Sequence, residues 1–148
     1  MQVISVVRDF EMYHRLVKEN PNWGDAVFSA FDNRTENKTI PVRYNAFLES
    51  YDYSHPDWFV FCHEDWELKE DLSRLLSTLN KDALYGPIGK MKNYDLCFLQ
   101  KNMGQIFESN KDGSDLVSMG RPSPQLQEVG TFDCQCVIVH STVVEKYH

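Results

Sequence analysis

Acidic residues lie beside the ends of three short apolar segments of this sequence. They are Asp32, Glu64 and Asp65 in the triplet His63-Glu64-Asp65, and Asp133. In open α/β sheets, ligands bind beyond the carboxyl ends of the strands, so side chains at these positions would share one edge. Acidic groups that converge on one edge need a cation or hydrogen-bond donors to compensate their charge. Since carboxylate oxygens suit Mg²⁺ and Mn²⁺, which also bridge phosphates, the pattern predicts a divalent-cation site.

Each of these residues also has a simpler interpretation. Asp32 opens a polar cluster and could be a turn residue. Asp65 could cap a helix that begins near Glu67, because Asp is a preferred N-cap residue. Asp133 could be solvated, and His63 could be a hydrogen-bonded wall residue rather than a metal ligand. The sequence alone leaves these alternatives open.

Short apolar segments alternate with stretches of helical spacing along the chain. Strands are predicted at Val3–Val7, Ala26–Phe31, Trp58–Cys62 and Cys136–Val139. Helices are predicted over Phe10–Glu19, Val42–Tyr51 and Leu68–Leu79, the first with Asp9 as its N-cap. This alternation predicts one α/β domain over residues 1–148, with a mainly parallel central sheet flanked by helices. The stretch 90–127 is rich in Gly, Ser, Asn and Pro, and is predicted to be irregular loop and hairpin.

The composition argues against several functional classes. Acidic residues outnumber basic residues by 22 to 15, and the net charge of −7 argues against a protein that tracks nucleic-acid phosphates. No apolar run approaches the roughly 18 residues of a membrane-spanning helix. The apolar stretch Val3–Val7 ends at Arg8 and Asp9, before the apolar core of a signal peptide could develop. We therefore expect a cytoplasmic protein without a transmembrane segment and without a nucleic-acid partner.

The four cysteines leave room for a disulfide or a zinc site. They are Cys62, Cys97, Cys134 and Cys136. Cys134 and Cys136 would share a face on a strand, whereas the adjacent Cys62 and His63 would point to opposite faces and ligate poorly together. We therefore favour buried, reduced thiols, because free cysteine is among the residue types most often buried in proteins.

Two kinds of catalytic or phosphate-binding motif are absent from the sequence. Its glycines match neither GxGxxG nor a P-loop, GxxxxGK followed by Ser or Thr. It also contains no Gly-x-Ser-x-Gly nucleophile elbow. These observations argue against a dinucleotide-binding Rossmann domain, a P-loop nucleotidase and an α/β-hydrolase.

Three segments of the chain resemble one enzyme family. In "IPVRYNAFLESYDYSHPDWFVFCHEDWEL", a helix with an Arg/Tyr-Asn pair leads into an apolar strand that ends in "FVFCHED". The other two segments are "ALYGPIG" and "EVGTFDCQCVIVHSTVV". In order and spacing they resemble family-2-like, nucleotide-sugar-dependent glycosyltransferases of the GT-A fold, and "HED" resembles the His-x-Asp variant of the DxD motif in one bacterial branch. The resemblance runs from Val3 to Val144 and implies a single GT-A-like, Rossmann-like domain.

The resemblance implies a role for nine positions. Five would bind the nucleotide, with Asp32 accepting from a uracil-type base: Val6, Arg8, Asp32, Arg43 and Asn45. Three would bind a Mn²⁺ or Mg²⁺ ion: Asp65, which matches the acid of the motif, with Glu64 and His63 beside it. Asp133 would lie near the acceptor sugar and is the remaining candidate for the catalytic base.

The implied activity is transfer of a sugar from a nucleotide-diphosphate donor, with UDP-sugars favoured, to a polysaccharide or other glycan acceptor. The cation at Asp65 would neutralise the leaving diphosphate as a Lewis acid, while the protein positions the sugar and excludes water. In an inverting enzyme a carboxylate would deprotonate the acceptor hydroxyl. Peripheral association with a membrane surface is compatible with this activity.

Three departures from the family pattern favour an alternative. His63 stands where most relatives have the first acid of the motif, and Cys134 stands where many have Gly. The sequence also ends at His148, before the segment with which relatives supply the catalytic base. The alternative prediction is a C-terminally truncated, non-catalytic or partner-dependent module that binds the nucleotide sugar.

Overall fold

The chain folds as an α/β protein in the computed structural model, which describes residues 1–90, 102–109, 116–123 and 125–147. Its strands are β1 (Gln2–Val7), β2 (Val27–Asp32), β3 (Trp58–Cys62), β4 (Leu84–Tyr85), β5 (Gly89–Lys90), β6 (Asn102–Ser109), β7 (Leu116–Arg121), β8 (Thr131–Phe132) and β9 (Cys136–His140). Its α-helices are α1 (Phe10–Tyr13), α2 (Ile40–Ser50), α3 (Leu72–Leu76) and α4 (Ser141–Tyr147). The chain divides into two compact units, Met1–Tyr85 with Gln135–His148, and Gly86–Cys134.

The first unit contains a five-stranded sheet in the order β2-β1-β3-β9-β4. β1 pairs in parallel with β2 and β3, whereas β9 pairs antiparallel with β3 and β4. The predicted α/β class is confirmed, but the sheet is mixed rather than mainly parallel, because the predicted strand Cys136–Val139 runs antiparallel. The helices α1 and α2 return the chain between β1, β2 and β3, so these three strands are parallel. β9 enters the sheet between β3 and β4 from the opposite direction and pairs antiparallel with both.

β1 and β3 occupy the centre of this sheet and are buried on both faces. On one face Val3 and Val60 pack with Trp23. On the other face Phe59 packs against Phe47 of α2, with ring centroids 5.3 Å apart. Because successive side chains of a strand point to opposite faces, a strand covered on both sides reads as a continuous apolar run, as β3 does.

The first two predicted helices are present. The Asp9 side chain accepts a hydrogen bond from the Met12 backbone N–H at 3.0 Å, which confirms the predicted N-cap of α1, and the chain continues helically to Lys18. α2 begins two residues earlier than predicted, with Pro41 in its first turn. No helix in the described residues is long and apolar enough to cross a membrane.

α3 is shorter than the predicted helix Leu68–Leu79. It begins directly after Asp71, whose carboxylate accepts a hydrogen bond from the Ser73 backbone N–H at 2.9 Å. The carbonyl of Leu68 instead accepts hydrogen bonds from two asparagine side chains that precede β2, so the backbone there is held in a non-helical segment. The hypothesis that Asp65 caps this helix is therefore wrong.

The second unit contains a four-stranded antiparallel sheet in the order β7-β6-β5-β8. The stretch 90–127 belongs to this unit, and β6 and β7 form the predicted hairpin pairing; residues 91–101, 110–115 and 124 lie outside the described residues. A bulge in β6 falls at Gly104, whose φ is 88° and where a Cβ atom would lie 1.9 Å from the carbonyl oxygen of Pro87. Glycine is needed there because both the backbone conformation and the close approach exclude a side chain.

Candidate functional site

A cleft of about 500 Å³ lies in the first unit, beyond the carboxyl ends of β1, β2 and β3. The parallel register places Val7, the last residue of β1, opposite Asp32 of β2, so the loops that follow these strands meet at one edge. Ligands of open α/β sheets bind at this edge. The lining residues are Val6, Arg8, Asn33, Asn37, Lys38, Thr39, Ile40, Tyr44, His63, Glu64 and Asp65. The structure thus brings the predicted metal triplet together with two predicted nucleotide-binding residues, Val6 and Arg8.

The loop after β3 places the acidic triplet beside the cleft. Glu64 Oε2 accepts hydrogen bonds from the backbone N–H groups of Arg8 and Asp9, the second at 3.0 Å. His63 is half-buried, and its backbone N–H donates to the Gln135 carbonyl at 3.0 Å, which attaches the loop to the residue before β9. Asp65 is exposed. The three neighbours therefore have three different surroundings.

Asn33 closes the loop after β2. Its side chain is buried, with Oδ1 accepting from the Lys38 backbone N–H at 2.9 Å and Nδ2 donating to the Lys38 carbonyl at 2.8 Å. Its own backbone N–H donates to the Val7 carbonyl at 2.8 Å, which ties the start of the loop to β1. The closed loop presents Asn37 to the cleft, where the Arg8 guanidinium donates to Asn37 Oδ1.

Three residues that the resemblance assigns to the nucleotide are not among those that line the cleft. The Arg34 guanidinium binds both carboxylate oxygens of Asp32, at 3.0 and 2.5 Å, and lowers the pKa of Asp32 to about 2. Arg43 donates to the Asp32 carbonyl at 2.8 Å and to the Glu36 carboxylate at 3.1 Å, so it supports the loop after β2 from α2. Asn45 is exposed on α2. Their roles toward a nucleotide stay predictions.

The triplet His63-Glu64-Asp65 provides few protein ligands for a divalent cation. In the described part of the chain, no three His, Cys, Asp or Glu side chains are grouped so that they could hold a metal ion. One oxygen of Glu64 is bonded to two backbone N–H groups, whereas Asp65 is exposed at the cleft. Mg²⁺ is commonly bound by one or two carboxylates, with water and substrate phosphates completing its shell. The described residues do not form a closed metal centre built from protein ligands, and a cation held by Asp65 would need water or ligand oxygens to complete its shell.

The cleft combines charged groups with an aromatic wall. Arg8 and Lys38 contribute positive charge, and Lys38 Nζ lies 2.8 Å from Glu36 Oε2. The Tyr44 ring packs against Phe61 of β3, with ring centroids 4.7 Å apart, which holds it at the wall of the cleft. Guanidinium and ammonium groups suit phosphate oxygens, and an aromatic ring suits a planar apolar or polar partner. Arg8 and Lys38 can contact an anionic group and Tyr44 a planar one, while Glu64 and Asp65 add two carboxylates to the same lining.

Asp133 lies in the second unit, directly after β8. Its backbone N–H donates to the Ile88 carbonyl at 3.0 Å, next to the pairing of β5 with β8. The residue is exposed and lines a cavity of about 320 Å³ within this unit, together with Lys90 and Thr131. Its assignment as a catalytic residue near the acceptor stays a prediction.

The described cysteines divide into two buried thiols and one exposed thiol. Cys62 and Cys136 lie opposite each other on β3 and β9, and both are buried. Burial raises the pKa of the Cys62 thiol to about 12 and raises that of Cys136 well above its usual value. The expectation of burial is confirmed for this pair and is wrong for Cys134, which follows β8 in an exposed segment. Cys97 lies outside the described residues.

Sequence reasoning assigned no site role to six lining residues, which belong to the loop after β2, the N-cap of α2 and its first two turns. They are Asn33, Asn37, Lys38, Thr39, Ile40 and Tyr44. The available signal was the polar cluster that follows Asp32, which is easily interpreted as an ordinary turn. Because ligand-binding loops follow the strands of parallel sheets, the position of that cluster could have identified it as part of a site.

Comparison with known proteins assigns no family to the chain. No protein-family model matches it, and no curated protein matches it. The functional interpretation therefore depends on the cleft, on the residues that line it and on the motif resemblance.

Proposed function

We propose that the chain is a GT-A-like glycosyltransferase domain that binds a nucleoside diphosphate sugar, with UDP-sugars favoured, together with Mn²⁺ or Mg²⁺, and transfers the sugar to a glycan acceptor. The observation that carries this proposal is the cleft at the carboxyl ends of three parallel strands, lined by Arg8, Lys38 and Asp65. Ligands of open α/β sheets bind at this edge. The resemblance of the motifs supplies the nucleotide-sugar class.

Different lining residues would bind the nucleoside and the diphosphate of such a ligand. Asn37 and Thr39 precede α2, and the Tyr44 ring projects from its second turn, so this side of the cleft offers a surface for the nucleoside. Arg8 and Lys38 would bind the diphosphate, because their cationic groups form charge-assisted hydrogen bonds with phosphate oxygens. The nucleoside would thus lie beside the loop after β2, and the diphosphate between Arg8 and Asp65.

Asp65 is the residue that would bind the divalent cation against the diphosphate. When bound, the cation supplies Lewis-acid neutralisation of the leaving diphosphate. Arg8 and Lys38 would orient the phosphates, and the three loops would position the sugar and exclude water from it. Asp133 is assigned to deprotonation of the acceptor hydroxyl on the resemblance alone.

A second candidate function is binding of the nucleotide sugar without transfer. It is favoured because, among the described residues, the cleft leaves no carboxylate that could act as the catalytic base. Of the two acidic residues that line it, Glu64 is bonded to two backbone N–H groups and Asp65 is assigned to the cation. Neither is then available to deprotonate an acceptor, so transfer requires a base from elsewhere in the chain, such as Asp133, or from a partner.

Ligand-dependent stabilisation tests the proposal. The melting temperature of the chain is measured with UDP, GDP, CDP and UDP-sugars, each with and without Mn²⁺, and with Mn²⁺ alone as the control. A ligand at about 100 times its Kd adds roughly 2.7 kcal/mol to the stability of the folded state. We expect stabilisation by a nucleoside diphosphate that depends on Mn²⁺. Stabilisation by none of these ligands overturns the proposal.

Turnover separates the two candidate functions. The release of UDP from a UDP-sugar is measured in the presence of a glycan acceptor, with a Asp133→Asn variant as the comparison. Sugar transfer that is lost in the variant supports a transferase with Asp133 as its base. Binding without any turnover supports the non-catalytic module.

A further inference from the structure

Glu64 connects two of the loops that line the cleft. It follows β3, yet its carboxylate oxygen Oε2 accepts hydrogen bonds from two consecutive backbone N–H groups after β1, those of Arg8 and Asp9. The bond from Asp9 is 3.0 Å long and joins residues 55 positions apart. Because β1 and β3 are neighbouring parallel strands, their carboxyl ends bring the two loops side by side.

Arg8 extends this connection to the third loop. Its guanidinium donates to Asn37 Oδ1. The loop that carries Asn37 is itself closed by the buried side chain of Asn33. Glu64 thus binds the backbone of Arg8, and the side chain of Arg8 in turn binds the loop after β2. The Glu64 carboxylate therefore contributes to the placement of all three loops.

We propose that Glu64 is a positioning residue that fastens the loop after β1 to the loop after β3 and so sets the Arg8 guanidinium for the anionic part of the ligand. The role differs from the metal-ligand role that the resemblance implies, because it uses Oε2 to accept two backbone N–H groups rather than to bind a cation. Hydrogen bonds from backbone N–H groups to a carboxylate are roughly twice as strong as neutral ones. The proposal rests on the proposed nucleotide-binding function.

Three variants separate positioning from metal binding. Glu64→Gln keeps an oxygen that can accept the two hydrogen bonds, Glu64→Ala removes the acceptor, and Asp65→Asn is the matched control at the proposed cation ligand. Hydrogen exchange of the Arg8 and Asp9 amides is measured by NMR without ligand. The affinity for UDP is measured in Mn²⁺ and in EDTA.

Glu64→Ala should accelerate exchange of both amides by about tenfold or more, because their acceptor is lost. Its affinity for UDP should fall by about tenfold, and by the same factor in Mn²⁺ as in EDTA. Glu64→Gln should retain most of the protection, most of the affinity and the full Mn²⁺ dependence. Asp65→Asn should show the opposite pattern, with unchanged amide exchange and loss of the Mn²⁺-dependent part of the affinity.

Unchanged amide exchange in Glu64→Ala overturns the proposal. Loss of the Mn²⁺ dependence in Glu64→Gln overturns it as well, since that result identifies a cation ligand. Should Glu64→Ala not fold, Glu64→Gln decides between the two roles by itself. Failure of the proposed nucleotide-binding function has a different signature: the wild-type chain binds no nucleoside diphosphate, while amide exchange at Arg8 and Asp9 still responds to Glu64→Ala. That outcome removes the ligand from the proposal and keeps the fastening of the loops.

Discussion

Glu64 and Asp65 are adjacent in the sequence and differ in what surrounds them. Glu64 accepts hydrogen bonds from the backbone of another loop, whereas Asp65 is exposed at the same cleft. Asp71 is the N-cap of α3, so the capping role once open to Asp65 belongs to another residue. Binding of a cation under a diphosphate by Asp65 is a proposal that rests on the motif resemblance and on the position of Asp65 at the cleft.

Replacement of Asp65 with Asn should weaken Mn²⁺-dependent binding of UDP by about tenfold or more, equivalent to about 1.4 kcal/mol. The change removes a unit charge opposite a divalent cation, and a unit-charge pair at about 4 Å is worth about 4 kcal/mol at an effective dielectric constant near 20, before desolvation is subtracted. The melting temperature without ligand should barely change, because Asp65 is exposed and caps no helix. Calorimetric titration checks this, with Glu67→Gln as the charge control; unchanged affinity contradicts the cation role.

His140 should make stability depend on pH. Its ring packs against Trp58, with centroids 5.0 Å apart, and burial, followed by the charge of Lys81, lowers its pKa below the ordinary 6.5. Below pH 6.5 the unfolded chain therefore binds a proton that the native chain does not, and the free energy of unfolding should fall until the native histidine also titrates. Urea unfolding of the wild type and of His140→Asn, from about pH 7.5 to about pH 5, checks this. Identical slopes in the two proteins contradict it.

At the scale of elements, the ends of strands and helices build the cleft. Asp9 illustrates this, because its backbone N–H donates to Glu64 while its carboxylate accepts from the Met12 N–H and caps α1. The loop after β1 is thus held at both ends, by a neighbouring loop and by the helix that follows. The start of α2 also contributes to the cleft, because Thr39 is both the N-cap residue of this helix and a lining residue of the cleft.

Asp71→Ala should destabilise the protein by about 1 kcal/mol, because α3 loses the acceptor for the Ser73 backbone N–H. Asp71→Asn should cost little, since Asn caps helices about as well as Asp. Asp65→Ala should leave α3 intact. Urea unfolding of the three variants measures these differences. An equal loss in Asp65→Ala and Asp71→Ala contradicts the position of the cap.

At the scale of the first unit, the centre of the sheet holds distant parts of the chain together. Phe59 of β3 is fully buried, and its ring lies 5.3 Å from that of Phe47 in α2 and 4.6 Å from that of Tyr51, just after α2. Val27 on the edge strand β2 is 56% exposed. Side chains of the same sheet therefore differ widely in how much their burial contributes to stability.

Phe59→Ala should destabilise the protein by about 3–5 kcal/mol, because it removes a large ring from the packed interface between β3 and α2. Since domains are stable by only about 5–15 kcal/mol, this is a large part of the total. Val27→Ala, an apolar truncation at the exposed edge of the same sheet, should change stability by less than about 0.5 kcal/mol. Chemical denaturation compares the two, and a similar loss in both contradicts the central position of Phe59.

Local patterns in the sequence were sufficient for most of the elements of the first unit. The predicted strand Trp58–Cys62 coincides with β3, because a strand buried on both faces is a continuous apolar run. The Asp9 cap was predictable because a cap depends on residues within one helical turn. The prediction of α3 was wrong in extent because its apolar spacing continues on both sides of the cap at Asp71, and spacing alone does not locate a cap.

The sequence by itself predicted β1, β2, β3 and β9, the presence of the first three helices, and which of these strands are followed by acidic residues, but it did not predict α4 or the short strands β5 and β8. Only the tertiary structure decided that β9 runs antiparallel between β3 and β4, that Asn33 is buried and closes a loop, and that Glu64 binds the backbone after β1. Elements follow from side-chain periodicity and caps within a few residues. Strand direction and the contacts of loop side chains join residues tens of positions apart, and no local pattern contains the packing that selects them.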